Sequence, residues 1–535
     1  MATQDVFIRK SSGLTRQISA RDALMYCAMN PGLLYALVYI VWAPAFYPGA
    51  HMGIGVLFVL LIFPIAGLYW YFSVAMPRSG GEYVYVSRTL HPALGLMSSF
   101  VISITALSWT GQLQDWWIRW GLADALRAVG ISSGNDGLIS LANSLDRPIV
   151  RFLIGTGALL LTLWLFLLGT KAMMRVSYWA VAFAWLAVLI LGVILVFEGR
   201  DTFVQRFNDL SGARYEEILQ AGKEAGAVFG ITFLNLMYAA VTYINLNTLG
   251  QTFSANLAGE IRGVARSQAL ALFGSLAMQM AIWFALYMLV YGIVGTNFMH
   301  SLDAIWANAP DKLPPAMQHE FTSSEPVPML LVAFMTGNPI LQLLFGLCFI
   351  VATWVSLAGL GFAPIRNVFA WAFDRLIPTA FADIKTRYRA PLWAIVAVIA
   401  AAEIFLWLGI YSPAYSEAIL YTIASWFIAW VILGIAGIVF PYRRRELFEA
   451  SPPAVQRRIA GIPVISILGF ATLVISIFTE WAVAQPFFTG GASPLQYVTV
   501  AGMVVVPIVI YVIAHFYHQS KGIPLSLQFS QVPPE

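Results

Sequence analysis

Apolar runs of roughly twenty residues or more follow one another along the chain, separated by short polar stretches. A helix crosses the hydrocarbon core of a bilayer with about 20 apolar residues. On that rule the pattern predicts twelve spans, near 20–46, 52–76, 94–127, 151–169, 174–198, 225–261, 264–294, 338–373, 391–411, 416–440, 462–486 and 496–518. The third, sixth and eighth are longer than a crossing requires, so strong tilt or a non-helical interruption is expected in them. Residues 199–224 mix Arg200, Asp201, Arg206, Asp209, Glu216, Glu217 and Lys223, which suits a short amphipathic surface segment. Residues 297–337, with the stretch DKLPPAMQHEFTSSEPVP, form the longest connection and are expected to act as a cap or lid.

Two runs carry groups that a lipid-facing helix does not tolerate. In the first, CAMNPGLL sets Asn30, Pro31 and Gly32 at its centre. Proline removes a backbone donor and crowds the preceding turn, glycine adds backbone freedom, and asparagine competes for local backbone groups. Alone, this would be a packed proline kink. In the sixth, TYINLNTLGQTFSANLAGE places Asn245, Asn247, Thr248, Gly250, Gln251 and Thr252 at mid-membrane depth. Hydrogen bonding between helices is the simplest use of such groups.

Together, the two breaks fall at corresponding positions of two five-span halves, the pattern of a secondary transporter's central site. Half-helix N-termini offer N–H groups to an anion, and half-helix C-termini offer carbonyls to a cation. The pair suits a zwitterion. Its carboxylate is expected on the N–H groups of Gly32 and Leu33, and its ammonium on the carbonyls of Leu246, Asn247 and Leu249.

Composition narrows the class. Of 535 residues, 59% are hydrophobic and 10% charged, and the mean hydropathy is +0.76; soluble domains carry roughly a quarter charged residues. A polytopic helical membrane protein is expected, with no nucleic-acid partner. Most Lys and Arg fall on one side of the predicted spans, in clusters such as Arg443-Arg444-Arg445 and Lys385, Arg387 and Arg389. By the positive-inside rule both termini are cytoplasmic, in a multi-pass protein of the cell membrane. The basic first twenty residues have no cleavage-site pattern, so the first span is expected to be retained. Cys27 and Cys348 lie in apolar runs and suggest neither a disulfide nor a metal site.

Three stretches carry a family likeness: MPRSGGEYVYVSRTLHPALG (76–95), TLGQTFSANLAGEIRGVARS (248–267) and FAPIRNVFAWAFDRLIPTAFADIKTRYRAPLWAI (362–395), followed by the tail FPYRRRELF (440–448). In this order the chain resembles the amino acid–polyamine–organocation (APC) permeases. The resemblance implies an all-α fold of twelve transmembrane helices. Its core would be a five-plus-five inverted repeat of the LeuT type, with helices 1 and 6 broken and two helices added. The expected organisation is then a cytoplasmic tail (1–19), a first repeat (20–198), a second repeat (225–440), the two added helices (462–518) and a second tail (519–535).

Alignment on these motifs implies a substrate site at Asn30, Pro31, Gly32 and Leu33; at Thr105, Ala106, Trp109 and Thr110; at Leu246, Asn247, Leu249 and Gly250; and at Ser356, Leu360, Tyr421 and Ser425. The family's Gly-x-Gly at the first break is Asn30-Pro31-Gly32 here, and Leu246 stands where several relatives carry an aromatic gate. The run 176–198 lacks the lysine with which some proton-coupled relatives replace sodium.

Ionisable groups inside a membrane default to functional candidates. Glu403 lies deepest, and Arg21, Asp22 and Glu260 are candidates for closing the inner mouth. Glu480 and Asp115 are expected near the outer interface. No fixed charge is placed at the centre, which favours a neutral amino acid over a charged one. The expected function is therefore a secondary amino-acid transporter, proton symporter or exchanger, monomeric or homodimeric. It would use no cofactor or metal and would not be an enzyme. The alternatives are polyamine or organic-cation carriage, and a transport-inactive amino-acid sensor.

Overall fold

The computed structural model describes residues 16–318, 325–385, 390–483, 494–522, 525 and 529. Among them, ten helices are long and apolar enough to cross a membrane. They are Met52–Ala75, Pro92–Ser133, Pro148–Leu167, Thr170–Phe197, Val264–Val294, Pro339–Phe373, Leu392–Tyr411, Tyr421–Arg443 (the apolar part of a helix that begins at Pro413), Val464–Val483 and Pro494–Ser520. The protein is thus an all-α polytopic membrane protein. Apart from a few two-residue strand pairs, such as Ile384–Lys385 with Ala390–Pro391, its backbone bonds close within helices and turns, as hydrocarbon demands.

The first and sixth expected spans are not single helices. The first divides into Ala20–Met29 and Tyr35–Phe46. Ser19 starts it with a reciprocal cap: its hydroxyl accepts from Asp22 N–H at 3.2 Å while Asp22 Oδ2 accepts from Ser19 N–H at 3.0 Å. The sixth begins at Phe233, eight residues later than expected, where the Thr232 hydroxyl caps Asn235 N–H. It runs through a π turn at Tyr243–Asn247, opens at 248–252, and resumes only as short 3₁₀ turns at Phe253–Asn256 and Ala258–Glu260.

The other two long runs behave differently. Pro92–Ser133 stays helical through a π turn at Ile118–Ala123. Pro339–Phe373 is one unbroken helix of 35 residues with Pro364 inside it. At 1.5 Å per residue it extends about 52 Å, well beyond the hydrocarbon core.

The polar connections fold as well. Residues 199–224 form helices Gly199–Leu210 and Tyr215–Glu224, and the 297–337 connection contains Thr296–Asn308 and Pro328–Met335, with 319–324 outside the described residues. Tyr215 stacks on Phe298 with ring centroids 4.3 Å apart, and Pro328–Met335 is wholly buried. This connection is a packed layer rather than an open loop. At the other face, Gln17 and Ile18 N–H both donate to Glu260 O, so 16–19 is docked rather than free; 1–15 lie outside the described residues.

Candidate functional site

The chain breaks where glycine permits it. Gly32 has φ +73° and Gly250 φ +82°, conformations that L side chains rarely adopt. The two breaks meet: a Cβ on Gly250 would lie 3.1 Å from Leu360 Cδ1 and 3.4 Å from Asn30 Cβ. Gly359 brings the Pro339–Phe373 helix equally close, for a Cβ there would lie 2.3 Å from Asn30 Oδ1. Tyr26 OH donates to Gly359 O at 2.9 Å and fixes the contact.

Most freed backbone groups around the first break have partners. Gln279 Nε2 donates to Cys27 O and Ala28 O at 3.0 and 3.2 Å, and Trp283 Nε1 donates to Leu33 O at 3.2 Å. Gly32 N–H donates to Met29 O at 2.8 Å. It is therefore not free for a carboxylate, and the sequence expectation for that group is corrected: a tight turn at the break consumes the donor. Leu33, Leu34 and Tyr35 N–H have no backbone acceptor. Leu34 is the N-cap and Tyr35 the first residue of the Tyr35–Phe46 helix, with Leu33 just before it, and helix-start N–H groups point back along the chain toward the break. In the sixth segment, the carbonyls of Leu246, Asn247 and Leu249 receive no backbone N–H.

Between the breaks lies a narrow cavity of about 40 Å³. The first segment lines it with Asn30, Pro31, Gly32, Tyr35 and Tyr39, and the third with Thr105, Ala106, Trp109 and Leu113. Leu246 and Leu249 come from the sixth, Thr353, Ser356, Leu357 and Leu360 from the eighth, and Trp426 from the tenth. All are buried except Leu246 and Leu249, which are half-buried. The lining contains no charged residue. Its polar atoms without a hydrogen-bond partner are the carboxamide of Asn30, the hydroxyls of Tyr35 and Thr353, and the indole N–H of Trp426.

Six residues named from the sequence lie outside this lining: Leu33, Thr110, Asn247, Gly250, Tyr421 and Ser425. Thr110 turns to Ala106 O and Leu357 O and serves helix packing. Gly250 forms the contact between breaks. In the tenth segment the cavity face is one residue out of register. Thr422 O accepts from Thr105 Oγ1 at 2.9 Å, the Thr422 hydroxyl accepts from Trp109 Nε1 at 3.3 Å, and Trp426 reaches the cavity one turn on. Tyr35, Tyr39, Leu113, Thr353, Leu357 and Trp426 were not anticipated; the i, i+4 spacing of Thr422 and Trp426 was the available signal for the last.

Above the cavity, toward the 296–335 layer, stands a column of aromatic rings. Tyr35 stacks on Trp116 at 6.2 Å, Trp116 meets Trp120 at 4.9 Å, Trp120 meets Trp42 at 4.8 Å, and Trp42 stacks on Trp306 at 5.2 Å. Below it, Phe253 stacks on Trp426 at 5.6 Å.

Charges are also buried around the last turns of the sixth segment. Arg366 Nε donates to Glu260 Oε1 at 2.8 Å, Thr170 Oγ1 donates to Oε2 at 2.8 Å, and both charged side chains are at most 3% exposed. Arg88 pairs with Asp374 at 2.6 Å, and Tyr83 OH donates to the same carboxylate. Arg366 was not foreseen as the partner of Glu260, because the two are 106 residues apart. The remaining charged candidates lie elsewhere. Asp22 is a helix cap that also accepts from Tyr178 OH, and Arg21 is exposed beside it. Glu403 accepts from Thr156 Oγ1 at 2.6 Å on a neighbouring helix and does not line the cavity. Asp115 forms a buried pair with Arg151 at 2.6 Å.

A helical membrane protein with an uncharged cavity between two interrupted segments has the make-up of a carrier for small molecules. The sequence profile of the amino acid permease family matches residues 23–514, and the chain belongs to that family, within the APC superfamily. It is a transporter of this type and not an enzyme. No curated protein matches the chain.

Proposed function

We propose that the protein carries a neutral amino acid across the cell membrane by alternating access, coupled to protons or in exchange. The observation that carries this reading is the opposed pair of backbone sets at one uncharged cavity. Tyr35 from the first break and Leu246 and Leu249 from the sixth line it, and the Tyr35 N–H and the Leu246 and Leu249 carbonyls have no backbone partner. A carboxylate gains from the positive end of a half-helix and an ammonium from free carbonyls. An uncharged lining leaves a net charge on the ligand without a counter-ion, at a cost of several kcal/mol. Asn30 and Thr353 add unpaired polar groups for orientation.

In this reading the ten continuous helices and the two interrupted segments make twelve spans, arranged as a five-plus-five inverted repeat with two helices added. Both termini and the Glu260–Arg366 pair face the cytoplasm, and the aromatic column closes the outer side. The conformation is occluded. Uptake of labelled amino acids into liposomes holding the purified protein tests the reading. Saturable uptake, competed by neutral amino acids and not by lysine or glutamate, is the expected result. Absence of competable uptake for all twenty standard amino acids would refute it.

One observation favours a second substrate class. Tyr35, Tyr39, Trp109 and Trp426 all line the cavity, and aromatic faces attract organic cations. Without a carboxylate in the lining this ranks below the first. Competition by a diamine stronger than by any neutral amino acid would reverse the order.

A further inference from the structure

Glu82 is a buried carboxylate that no role so far described uses. It opens the Glu82–Thr89 helix and is 1% exposed. Asn256 Nδ2 lies 3.5 Å from each of its oxygens and Asn367 Nδ2 3.4 Å from one, which are long contacts for an ionised group. From the Met52–Ala75 helix the neighbouring ionisable group is the Tyr69 phenol. On its own helix, Arg88 and Tyr83 are committed to Asp374. From the Pro339–Phe373 helix Arg366 is committed to Glu260, and from Pro92–Ser133 only the Ser103 hydroxyl joins the cluster, through Asn367. Among the described residues, no cation pairs with Glu82.

The position matters as much as the burial. Residues 76–82 and the Phe253–Glu260 segment form the seam that closes the face carrying residues 16–19. Gly80 N–H donates to Asn256 O at 3.1 Å, and Ser79 bridges to Leu257. Asn256 Oδ1 is buried in this seam without a donor. A charged Glu82 leaves it so, whereas a protonated carboxyl brings one O–H into the cluster.

We infer that Glu82 is a proton-binding site that locks this seam: its carboxyl holds a proton while 76–82 rests on the Phe253–Glu260 segment, and releases it when the two part. On parting, the O–H bond breaks, the proton passes to water and the carboxylate is hydrated. The titration has the required sense. Burial, outweighing its backbone N–H and the Asn256, Asn367 and Tyr69 contacts, pushes the carboxyl up to about 7 from an ordinary 4.5. Proton binding therefore favours the closed seam, and that preference is lost as pH rises through about 7. The inference rests on the alternating-access reading and names its proton site.

The test needs no substrate. In full-length protein with Cys27 and Cys348 changed to serine, Leu257→Cys places a thiol in the seam, and maleimide labelling is normalised to free glutathione at each pH. Labelling about ten-fold slower at about pH 6 than at about pH 8 is expected, as the linked equilibrium requires. In Glu82→Gln the normalised rate should vary less than about two-fold over the same range. Infrared titration of the protein with Glu82 intact should show a protonated-carboxyl C=O band disappearing around neutrality, absent from Glu82→Gln. Flat labelling with Glu82 in place, or pH dependence surviving in Glu82→Gln, overturns the inference. If Glu82→Gln does not fold, the infrared titration is compared with Glu82→Asp instead. A neutral-range band missing from the protein with Glu82 intact, or unmoved in Glu82→Asp, then overturns it. Failed amino-acid uptake would strike the substrate reading and leave these results intact.

Discussion

Asn30 and Gly250, 220 positions apart in the chain, meet at van der Waals distance: a Cβ on Gly250 would lie 3.4 Å from Asn30 Cβ. Each interrupted segment is therefore a wall of the other's site. A side chain at Gly250 must also adopt φ +82°. Gly250→Leu is expected to lower uptake at least about ten-fold, because strain and displacement of Asn30 coincide. Gly32→Leu should abolish uptake as well, since φ is +73° and its Cβ would lie 2.8 Å from Tyr35 Cβ. Initial-rate uptake in liposomes checks both.

The Glu260–Arg366 pair is buried, with charges at most 3% exposed. Removing one partner of a buried pair leaves the other uncompensated, at a cost of about 3–5 kcal/mol. Arg366→Gln should lower the thermal midpoint and raise cysteine labelling at the seam between residues 76–82 and Phe253–Glu260. An unchanged midpoint would mean that water already reaches Glu260.

Trp109 joins the third and tenth segments through Thr422 and forms part of the cavity wall. Trp109→Phe keeps the ring and loses one hydrogen bond, worth about 1 kcal/mol. Trp109→Ala opens space and should shift competition toward bulkier amino acids. Competition profiles of the two variants distinguish these effects.

Glu403 pairs with Thr156 away from the cavity. Glu403→Gln should leave uptake within about two-fold and keep its pH profile, as expected of a partly buried side-chain hydrogen bond between helices. A lost pH profile would make Glu403 the coupling group instead.

Asp303, in the packed 296–335 layer, is fully buried and neither oxygen has a partner. Burial raises its carboxyl well above the usual range. The protonated form is the folded one, so its stability contribution is present in acid and falls as pH rises through the raised value. Asp303→Asn should raise the thermal midpoint most at alkaline pH, by an amount equivalent to about 1–3 kcal/mol. Scanning calorimetry across pH reads the difference.

The helices and both breaks were legible because their causes are local: apolar run length, and Pro, Gly and Asn where lipid permits none. Much of the cavity wall followed from aligning motifs, but Trp426 did not, since a single residue of register turns a helical side chain through about 100°. The Glu260–Arg366 pair and the solitude of Glu82 are consequences of packing between distant segments. The aromatic column joins residues from three separate stretches, which no local pattern brings together. The 296–335 layer read as a loop because its prolines and charges hide two short helices. Thr296–Asn308 and Pro328–Met335 are stable through burial rather than through propensity.

The ring column from Tyr35 to Trp306 has an electrical consequence. Protons move quickly through a protein along a continuous thread of water, and close-set aromatic rings are poor hosts for one. A carrier that binds a proton at one end must keep the far side insulating, or the ion gradient discharges without moving cargo. Under the alternating-access mechanism proposed above, these rings would supply that insulation while the site is shut and would have to part for cargo to pass.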